Sequence, residues 1–398
     1  MTEQRVFIAG AGPVGLFAAA KLVGAGIPVT VFEAGEELSR QSRASTFHPP
    51  SLDMLSEIGV TDGLIERGLT APYVQYRNRD EGILGRFDFG EIADLTGHPY
   101  RLQCEQWWLT RLIHEKFRDD PNFEICFSSP VKAVALGADH VTVTLGSAGG
   151  DTTRTGRWLI GADGASSMVR QSLEIEFDGF TWPEKFLVLT TPHDLEAIVA
   201  NLDPVTYVSD PVQWNFFLRI PGLWRVMFPT PSGMSDEEAL DATYARQLFE
   251  RILPDGGNVE IEHRTLYRVH QRVATTFRKG RTFLIGDAAH INNPLGGMGM
   301  NGGLHDAENL TRRLALVWHG EAPDSELDRF ERQRREVTME HVQSQTIRNK
   351  RDLEAATEED RRAFREAMQE RMEDPVKRRD FLMRIGMFNA LKRAEELG

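Results

Sequence analysis

Apolar residues in this chain follow two patterns, short unbroken runs and alternating or aromatic-rich stretches. Val6-Phe-Ile-Ala9, Ile27-Pro-Val-Thr-Val-Phe32, Trp158-Leu-Ile160 and Phe283-Leu-Ile285 belong to the first kind, as strands buried on both faces of a parallel sheet do. Leu16 to Val23 reads as a helix between the first two runs, which makes residues 6–33 a βαβ unit. Helices are also predicted over Ser51 to Ile58 and Trp107 to Phe117. Val131 to Ala135 and His140 to Leu145 alternate as hairpin strands would. Five glycines lie from Pro294 to Gly303, and each costs a helix interior up to about 1 kcal/mol against alanine. A glycine-rich turn is therefore expected there. A helix should follow over Leu304 to Leu316, with Leu304, Ala307, Leu310 and Leu314 on one stripe.

The middle of the chain has a different texture. Phe186 to Thr190, Thr206 to Val208, Gln213 to Ile220 and Trp224 to Phe228 are aromatic-rich strand candidates, with Pro221-Gly222 as a turn. Ser235 and Glu238 form a capping box that opens a helix to about Leu253, and His263 to Val273 reads as a returning strand. From Asp324 onward the chain is strongly charged, with Phe330, Val337, Val342, Phe364 and Met368 spaced for amphipathic helices. Four segments follow: residues 1–176, 177–272, 273–320 and 321–398. The first and third build one α/β domain, the second is an inserted β-sheet, and the fourth is a helical carboxyl-terminal tail with solvated faces.

A net charge of −13 argues against a nucleic-acid surface and leaves no basic patch for an anionic membrane. No apolar run reaches the length of a membrane span, and Met1 to Arg5 shows no secretory signal. The two cysteines, Cys104 and Cys126, are too few for a disulfide framework and suit a reducing cytoplasm. No metal site is expected. The charged helix faces leave room for a homodimer contact.

Chemistry concentrates at three places. Gly10, Gly12, Pro13 and Gly15 follow the first strand as G-x-G-P-x-G, and Glu33 ends the second. Gly10 permits the tight turn, Gly12 lets the backbone approach a pyrophosphate, Gly15 lets the helix pack on the strand, and Glu33 would bind ribose hydroxyls. Gly161-Ala-Asp163-Gly-Ala-Ser-Ser167-Met-Val-Arg170 places another acid at a strand end, followed by serine caps. Gly286-Asp287-Ala-Ala-His290 leads through Pro294-Leu-Gly-Gly-Met-Gly299-Met300-Asn301 to Asp306-Ala-Glu-Asn309-Leu310. Asp287 repels a phosphate and suits a hydroxyl-rich partner such as a sugar chain.

The three motifs, in this order, resemble those of the single-component FAD-dependent aromatic-ring hydroxylases, typified by para-hydroxybenzoate hydroxylase. The resemblance covers about residues 5 to 320. It implies a Rossmann-like FAD-binding domain, an inserted substrate sheet, NADH or NADPH as a transient co-substrate, and O2 added at flavin C4a before transfer to a small phenolic or N-heteroaromatic ring. It also implies FAD contacts from Arg43, from Gln103 in an R-x-Q element and from the Gly299-Met300-Asn301 amides, and it sets Pro294 on the substrate side of the ring. Asp163 reads either as a contact near the pyrophosphate or as a structural tie of its loop. His48 reads as a proton relay or substrate-orienting group, or as an ordinary loop histidine. Tyr207 and Tyr267 could hydrogen-bond a phenol. Gln213, Asn215, Phe217 and Arg219 share one strand face, and Trp214, Phe216 and Leu218 the other. Gln213, Phe217 and Arg219 are the expected substrate contacts, while Arg219 and Arg225 could also hold a carboxylate. Two alternatives are a flavin-dependent reductase and a non-catalytic flavin-binding sensor. A halogenase would carry W-x-W-x-I-P, and Trp214-Asn-Phe-Phe does not match it.

Overall fold

A computed structural model describes residues 3–41, 44–147, 149–253 and 256–398. Arg43, expected at the FAD, lies outside them. In chain order the first elements are β1 (Glu3–Ala9), α1 (Pro13–Gly24), β2 (Val29–Phe32), β3 (Thr46–Phe47), α2 (Pro49–Glu57) and α3 (Thr61–Ile65). Next come β4 (Leu69–Ala71), β5 (Tyr73–Asn78), β6 (Gly82–Asp88), β7 (Arg101–Gln103), α4 (Gln106–Phe117) and β8 (Phe123–Cys126). The hairpin β9 (Val131–Leu136) and β10 (Val141–Leu145) precedes β11 (Thr152–Gly161) and α5 (Met168–Ser172). The inserted part holds β12 (Phe177–Thr191), α6 (Leu195–Ile198), β13 (Val205–Ser209), β14 (Asn215–Ile220), β15 (Leu223–Pro229), α7 (Asp236–Ala239), α8 (Ala242–Ile252) and β16 (His263–Ala274). The chain then runs through β17 (Arg278–Lys279), β18 (Thr282–Leu284), β19 (His290–Ile291) and α9 (Met298–Trp318). It ends in α10 (Asp328–Val337), α11 (Ser344–Glu354), α12 (Glu358–Glu373), α13 (Pro375–Ile385) and α14 (Phe388–Glu396).

The four apolar runs form the parallel core of the first sheet, in the order β18-β11-β1-β2 with β8 beyond β2. The predicted hairpin extends it, as β10 pairs antiparallel to β11. Leu304, Ala307, Leu310 and Leu314 of α9 are fully buried against this sheet's core, as their stripe predicts. The second sheet runs β19-β16-β12-β15-β14-β13-β5-β6. It therefore takes β5 and β6 from within residues 1–176, with β5 parallel to β13. Alternation within a segment cannot disclose such a long-range pairing.

Three local expectations change. Helix α9 starts at Met298, so Gly299, Gly302 and Gly303 lie inside it despite their poor propensity. Packing requires them: a methyl group at Gly303 would lie 2.6 Å from Val14 Cγ2 and 3.0 Å from the Gly286 backbone. The helix opened by the Ser235–Glu238 capping box stops at Ala239, and Asp241 caps a second one, accepting from the Thr243 and Tyr244 amides. The carboxyl-terminal helices are not a solvated tail. Leu353, Phe364, Met368, Phe381, Leu382 and Ile385 are buried with Tyr207, Trp214 and Phe186 in the core of the second sheet.

Candidate cofactor and substrate site

The first turn is shaped by sterics. Gly10 has φ +100°, and a Cβ there would lie 2.5 Å from Ala162 O; at Gly15 it would lie 2.1 Å from Gly10 O. Helix α1 is thus pressed onto the turn. Gly12 is its N-cap, with no side-chain cap, Pro13 follows in the first turn, and nothing lies within 4 Å of a Cβ at Gly12. A side chain at Gly12 would thus meet open space, and the uncapped α1 N-terminus beside it is the arrangement that binds a diphosphate. Glu33 stands beside it, its carboxylate accepting from Ala11 N and Gly35 N, both at 2.8 Å.

In the second motif the two carboxylate oxygens of Asp163 accept from Ser167 Oγ at 2.5 Å and Val169 N at 3.0 Å. Burial pushes its pKa up. These bonds tie the loop down. Arg170 carries the tie further, donating to Ala288 O at 2.9 Å and Ala165 O at 2.8 Å, with its guanidinium 3.8 Å from the Phe177 ring.

The third motif is held from below by a buried acid. Asp306 Oδ2 accepts from His290 Nε2 at 2.7 Å and Gly286 N at 3.0 Å, and Oδ1 accepts from Arg334 Nε at 2.8 Å. The side chains of all three residues are at most 1% exposed. Burial opposes the Asp306 charge, yet His290 and Arg334 hold its carboxyl below the usual range. Asp287, one residue beyond Gly286, is left exposed at the carboxyl end of the β18 run.

The glycine-rich turn faces the small sheet β3-β7-β4. Gly296 and Gly297 take φ +103° and +68°, and Gly297 is the N-cap of α9. Asn301 joins the two sides: its Nδ2 donates to Thr46 O and Gly297 O, and its Oδ1 accepts from His48 N at 2.9 Å. His48 is fully buried with Nε2 2.9 Å from Gly296 O, which assigns the proton to Nε2. The Ile385 backbone is a second hydrogen-bonding neighbour of the ring. Burial and the nearby Arg101 charge push its pKa well below the ordinary histidine value. Gln103 Oε1 accepts from Thr46 Oγ1 at 2.8 Å, and its buried Nε2 has no partner. A buried polar atom without a partner is costly, so Gln103 Nε2 points to a ligand. The open α1 N-terminus, the pinned Glu33 and Gln103 Nε2 suit FAD. Pro294 is exposed.

The second sheet presents its other wall. Tyr207 is stacked on Phe216 (centroids 4.9 Å apart) and on Tyr76 (5.2 Å), on the face that packs with Leu295. Tyr267 pairs with Phe186 and so shares this face. Phe217 does not: it is buried with Leu189, Leu248 and Phe249 beneath α8. Arg219, on the same side as Phe217, is 2.6 Å from Glu196. Gln213 precedes β14 and reaches Pro229 O at 3.4 Å. The structure thus separates Phe217 and Arg219 from the cradle, because helices cover both faces of this sheet and parity could not say which one meets the cofactor. Arg225 reaches Ser45 Oγ at 3.2 Å and pairs with Glu105. Sequence reasoning passed over Tyr76 and Arg101. Arg101, 2% exposed, donates to Ile385 O at 3.0 Å, and alternation from Gln103 along β7 would have placed it on the same face.

Residues 3–345 match the family model described as FAD binding domain. The chain is 35% identical over 344 residues to para-nitrophenol 4-monooxygenase of Pseudomonas sp. (strain WBC-3), covering 85% of this chain and 84% of that protein. It is 36% identical over 354 residues to 6-hydroxy-3-succinoylpyridine 3-monooxygenase of Pseudomonas putida (strain DSM 28022 / S16), covering 88% and 89%. Among solved structures, p-nitrophenol 4-monooxygenase from Pseudomonas putida DLL-E4 superimposes with a TM-score of 0.91 at 31% identity, covering 98% of each chain. Motifs, fold and relatives agree, and the chain belongs to the FAD-dependent aromatic-ring hydroxylases, a family of flavoprotein monooxygenases.

Proposed function

We propose that this protein uses NADH or NADPH and O2 to hydroxylate a small phenol or hydroxylated N-heteroaromatic ring. The observation that carries the reading is the buried, partnerless Nε2 of Gln103 on the small sheet that Asn301 ties to the glycine-rich turn. The balance is ring–H, O2, NAD(P)H and a proton giving ring–OH, water and NAD(P)+. Bound FAD supplies hydride acceptance and oxygen activation, and the protein supplies position, charge and dryness. Gly10, Gly12, Pro13 and Gly15 receive the diphosphate at the α1 N-terminus, and Glu33 receives the adenosine ribose. Asp287 and Gln103 hold hydroxyls of the chain between diphosphate and ring. Asp163 serves the same region by fixing the loop. The amides of Gly299, Met300 and Asn301, in the first turn of α9, favour negative charge on the reduced ring, each such interaction contributing up to about 2 kcal/mol when partly buried.

On the substrate side, Tyr207 and Tyr267 hold the ring hydroxyl, and the Pro294 carbonyl accepts from it. His48 serves as a proton relay or orienting group beside the ring, with Gly296 O fixing its orientation. Residues 1–176 and 273–320 supply the cofactor domain, 177–272 most of the substrate sheet, and 321–398 its helical backing. Two thiols without a disulfide, Cys104 and Cys126, suit a reducing cytoplasm.

The test is NADH and NADPH oxidation by the purified yellow protein across phenols, hydroxybenzoates and hydroxylated N-heterocycles. The expected result is stimulation of at least about tenfold by one ring, with an oxygenated product by mass spectrometry. Stimulation by none of them would overturn the hydroxylase in favour of a reductase or a sensor.

A further inference from the structure

One long helix grips the third motif twice. Residues 328–354 run through α10, a π-helical turn at Thr338–Gln343 and α11, with right-handed helical dihedrals at both joints. From α10, Arg334 holds Asp306. From the π turn and α11, three positions reach the segment between β19 and α9 that carries Pro294. Gln343 Nε2 donates to Ile291 O at 3.1 Å, Thr346 O accepts from Asn293 Nδ2 at 3.0 Å, and Asn349 Nδ2 donates to Leu295 O at 3.1 Å. Spaced three apart, they share one helix face. A regular α-helix turns about 100° per residue, which would set Arg334 and Gln343 on opposite sides. The π turn takes in about one extra residue and swings the second grip toward the first.

The second sheet closes the network. Gln271 of β16 accepts at Oε1 from Asn293 N at 3.1 Å and donates from Nε2 to Thr346 Oγ1 at 2.9 Å. Asn293 Oδ1 accepts from Leu295 N at 3.1 Å. Gln271, Asn293, Gln343 and Thr346 are all buried, and both side-chain amides at 271 and 293 are satisfied at each end. Asn349 also packs directly on the turn, since a Cβ at Gly296 would lie 2.9 Å from its Nδ2. The Gly296 carbonyl in turn meets His48 Nε2 at 2.9 Å. Buried polar side chains gain little stability over apolar ones of the same shape, whereas a fully satisfied network fixes one geometry.

We infer that Gln271, Gln343, Thr346 and Asn349 are positioning residues for the reaction. They fix residues 291–296 between β16 and α11, and through that segment they set where the Gly299, Met300 and Asn301 amides at the start of α9 meet the flavin ring. They act through the backbone of the turn. A turn released on this side leaves the adenosine end of the cradle in place and weakens the hold of those amides on the charge of the reduced ring. This inference rests on the hydroxylase reading for the reaction it serves but is tested on the flavin without substrate.

The test compares Thr346→Val, Thr346→Ser and Asn349→Leu with the parent, all loaded with FAD. Valine keeps the shape of threonine and removes the hydroxyl that receives Gln271, while serine keeps the hydroxyl and removes a buried methyl group. Both should lower the thermal midpoint, so a merely structural role would move them together. In anaerobic equilibrium with a reference redox dye, the ratio of reduced to oxidised flavin should fall about threefold or more in Thr346→Val and Asn349→Leu. It should stay near parental in Thr346→Ser. With a ring that stimulates NAD(P)H oxidation, oxygenated product per NAD(P)H consumed should follow the same order. Asn349 is half-buried, so its variant carries the test if Thr346→Val fails to fold. A flavin ratio that follows the thermal midpoint through all three variants would overturn the inference. So would a ratio unchanged in both Thr346→Val and Asn349→Leu. If no ring stimulates the parent, the hydroxylase reading falls, and the flavin ratio still decides the positioning role.

Discussion

Gly302 and Gly303 are adjacent in α9, yet alanine should destabilise at Gly303 and leave stability near parental at Gly302. In a helix interior alanine gains about 0.5–1 kcal/mol over glycine. At Gly303 the new methyl group would sit 2.6 Å from Val14 Cγ2 and 3.0 Å from Gly286 Cα. Val14 can turn aside. Gly286 cannot, since its N–H is bonded to Asp306 at 3.0 Å and its backbone forms the tip after β18. Overpacking of this kind costs about 1–3 kcal/mol, which outweighs the helical gain and leaves a net loss of about 1–2 kcal/mol. At Gly302 the nearest atoms are His290 Cε1 at 3.3 Å and Met387 Cε at 4.0 Å, both on side chains. There the gain and a small displacement nearly cancel, within about 1 kcal/mol of the parent. Urea unfolding of both variants, with FAD titration of each, reads the difference. Gly303→Ala should also weaken FAD binding, because a displaced α9 moves Asn301 away from His48 and Thr46. If Gly303→Ala is as stable as Gly302→Ala, the claim that α9 is seated by these contacts fails.

Four further outcomes follow from the site. Asp306→Asn should cost about 3–5 kcal/mol in the same urea series, because Arg334, 1% exposed, loses its counter-charge; a loss under about 1 kcal/mol would refute the buried network. Burial pushes His48 well below the ordinary range and His305 down to about 3, so both are neutral in the fold and take a proton once unfolded. Their contribution is whole above an unfolded pKa of about 6.5 and is lost as pH falls below it: about 1.4 kcal/mol each between pH 7.5 and 5.5, halved in total by His305→Asn. A urea midpoint flat over that interval would contradict it. Glu33→Gln should weaken FAD about tenfold, as the charged acceptor for Ala11 N and Gly35 N is lost, and unchanged affinity by fluorescence titration would count against that role. Tyr207→Phe should lower kcat/KM by about tenfold or more, whereas Phe217→Leu should leave it near parental at a stability cost below about 1.5 kcal/mol; the opposite ranking would reverse the assignment of the sheet faces.

The cofactor cradle was legible along the chain because its requirements are local. Gly10 takes φ +100°, Gly15 has no room for a side chain against the Gly10 carbonyl, and β1, β2, β11 and β18 each announce burial as an unbroken apolar run. Strand alternation likewise divided β14 into two faces, Phe216 with Leu218 and Phe217 with Arg219. Which face meets the cradle depends on α8 covering one side and α11 to α13 the other, and those segments are distant in sequence. The charged helices after Asp324 show amphipathic spacing, but a stripe does not name its partner. Their apolar residues back the substrate sheet, and Thr346 and Asn349 hold the turn that carries Pro294. Helix propensity misplaced the start of α9 because close packing on Val14 and Gly286 outweighs the cost of three glycines. His48 is the sharpest case. Its neutrality arises from burial and from Arg101, and its orientation from Gly296 and Asn301, so that residues 48, 101 and 296–301 meet from three separate segments. Backbone geometry and apolar runs are written locally, whereas burial, charge environment and the choice between faces arise when distant segments exclude water together.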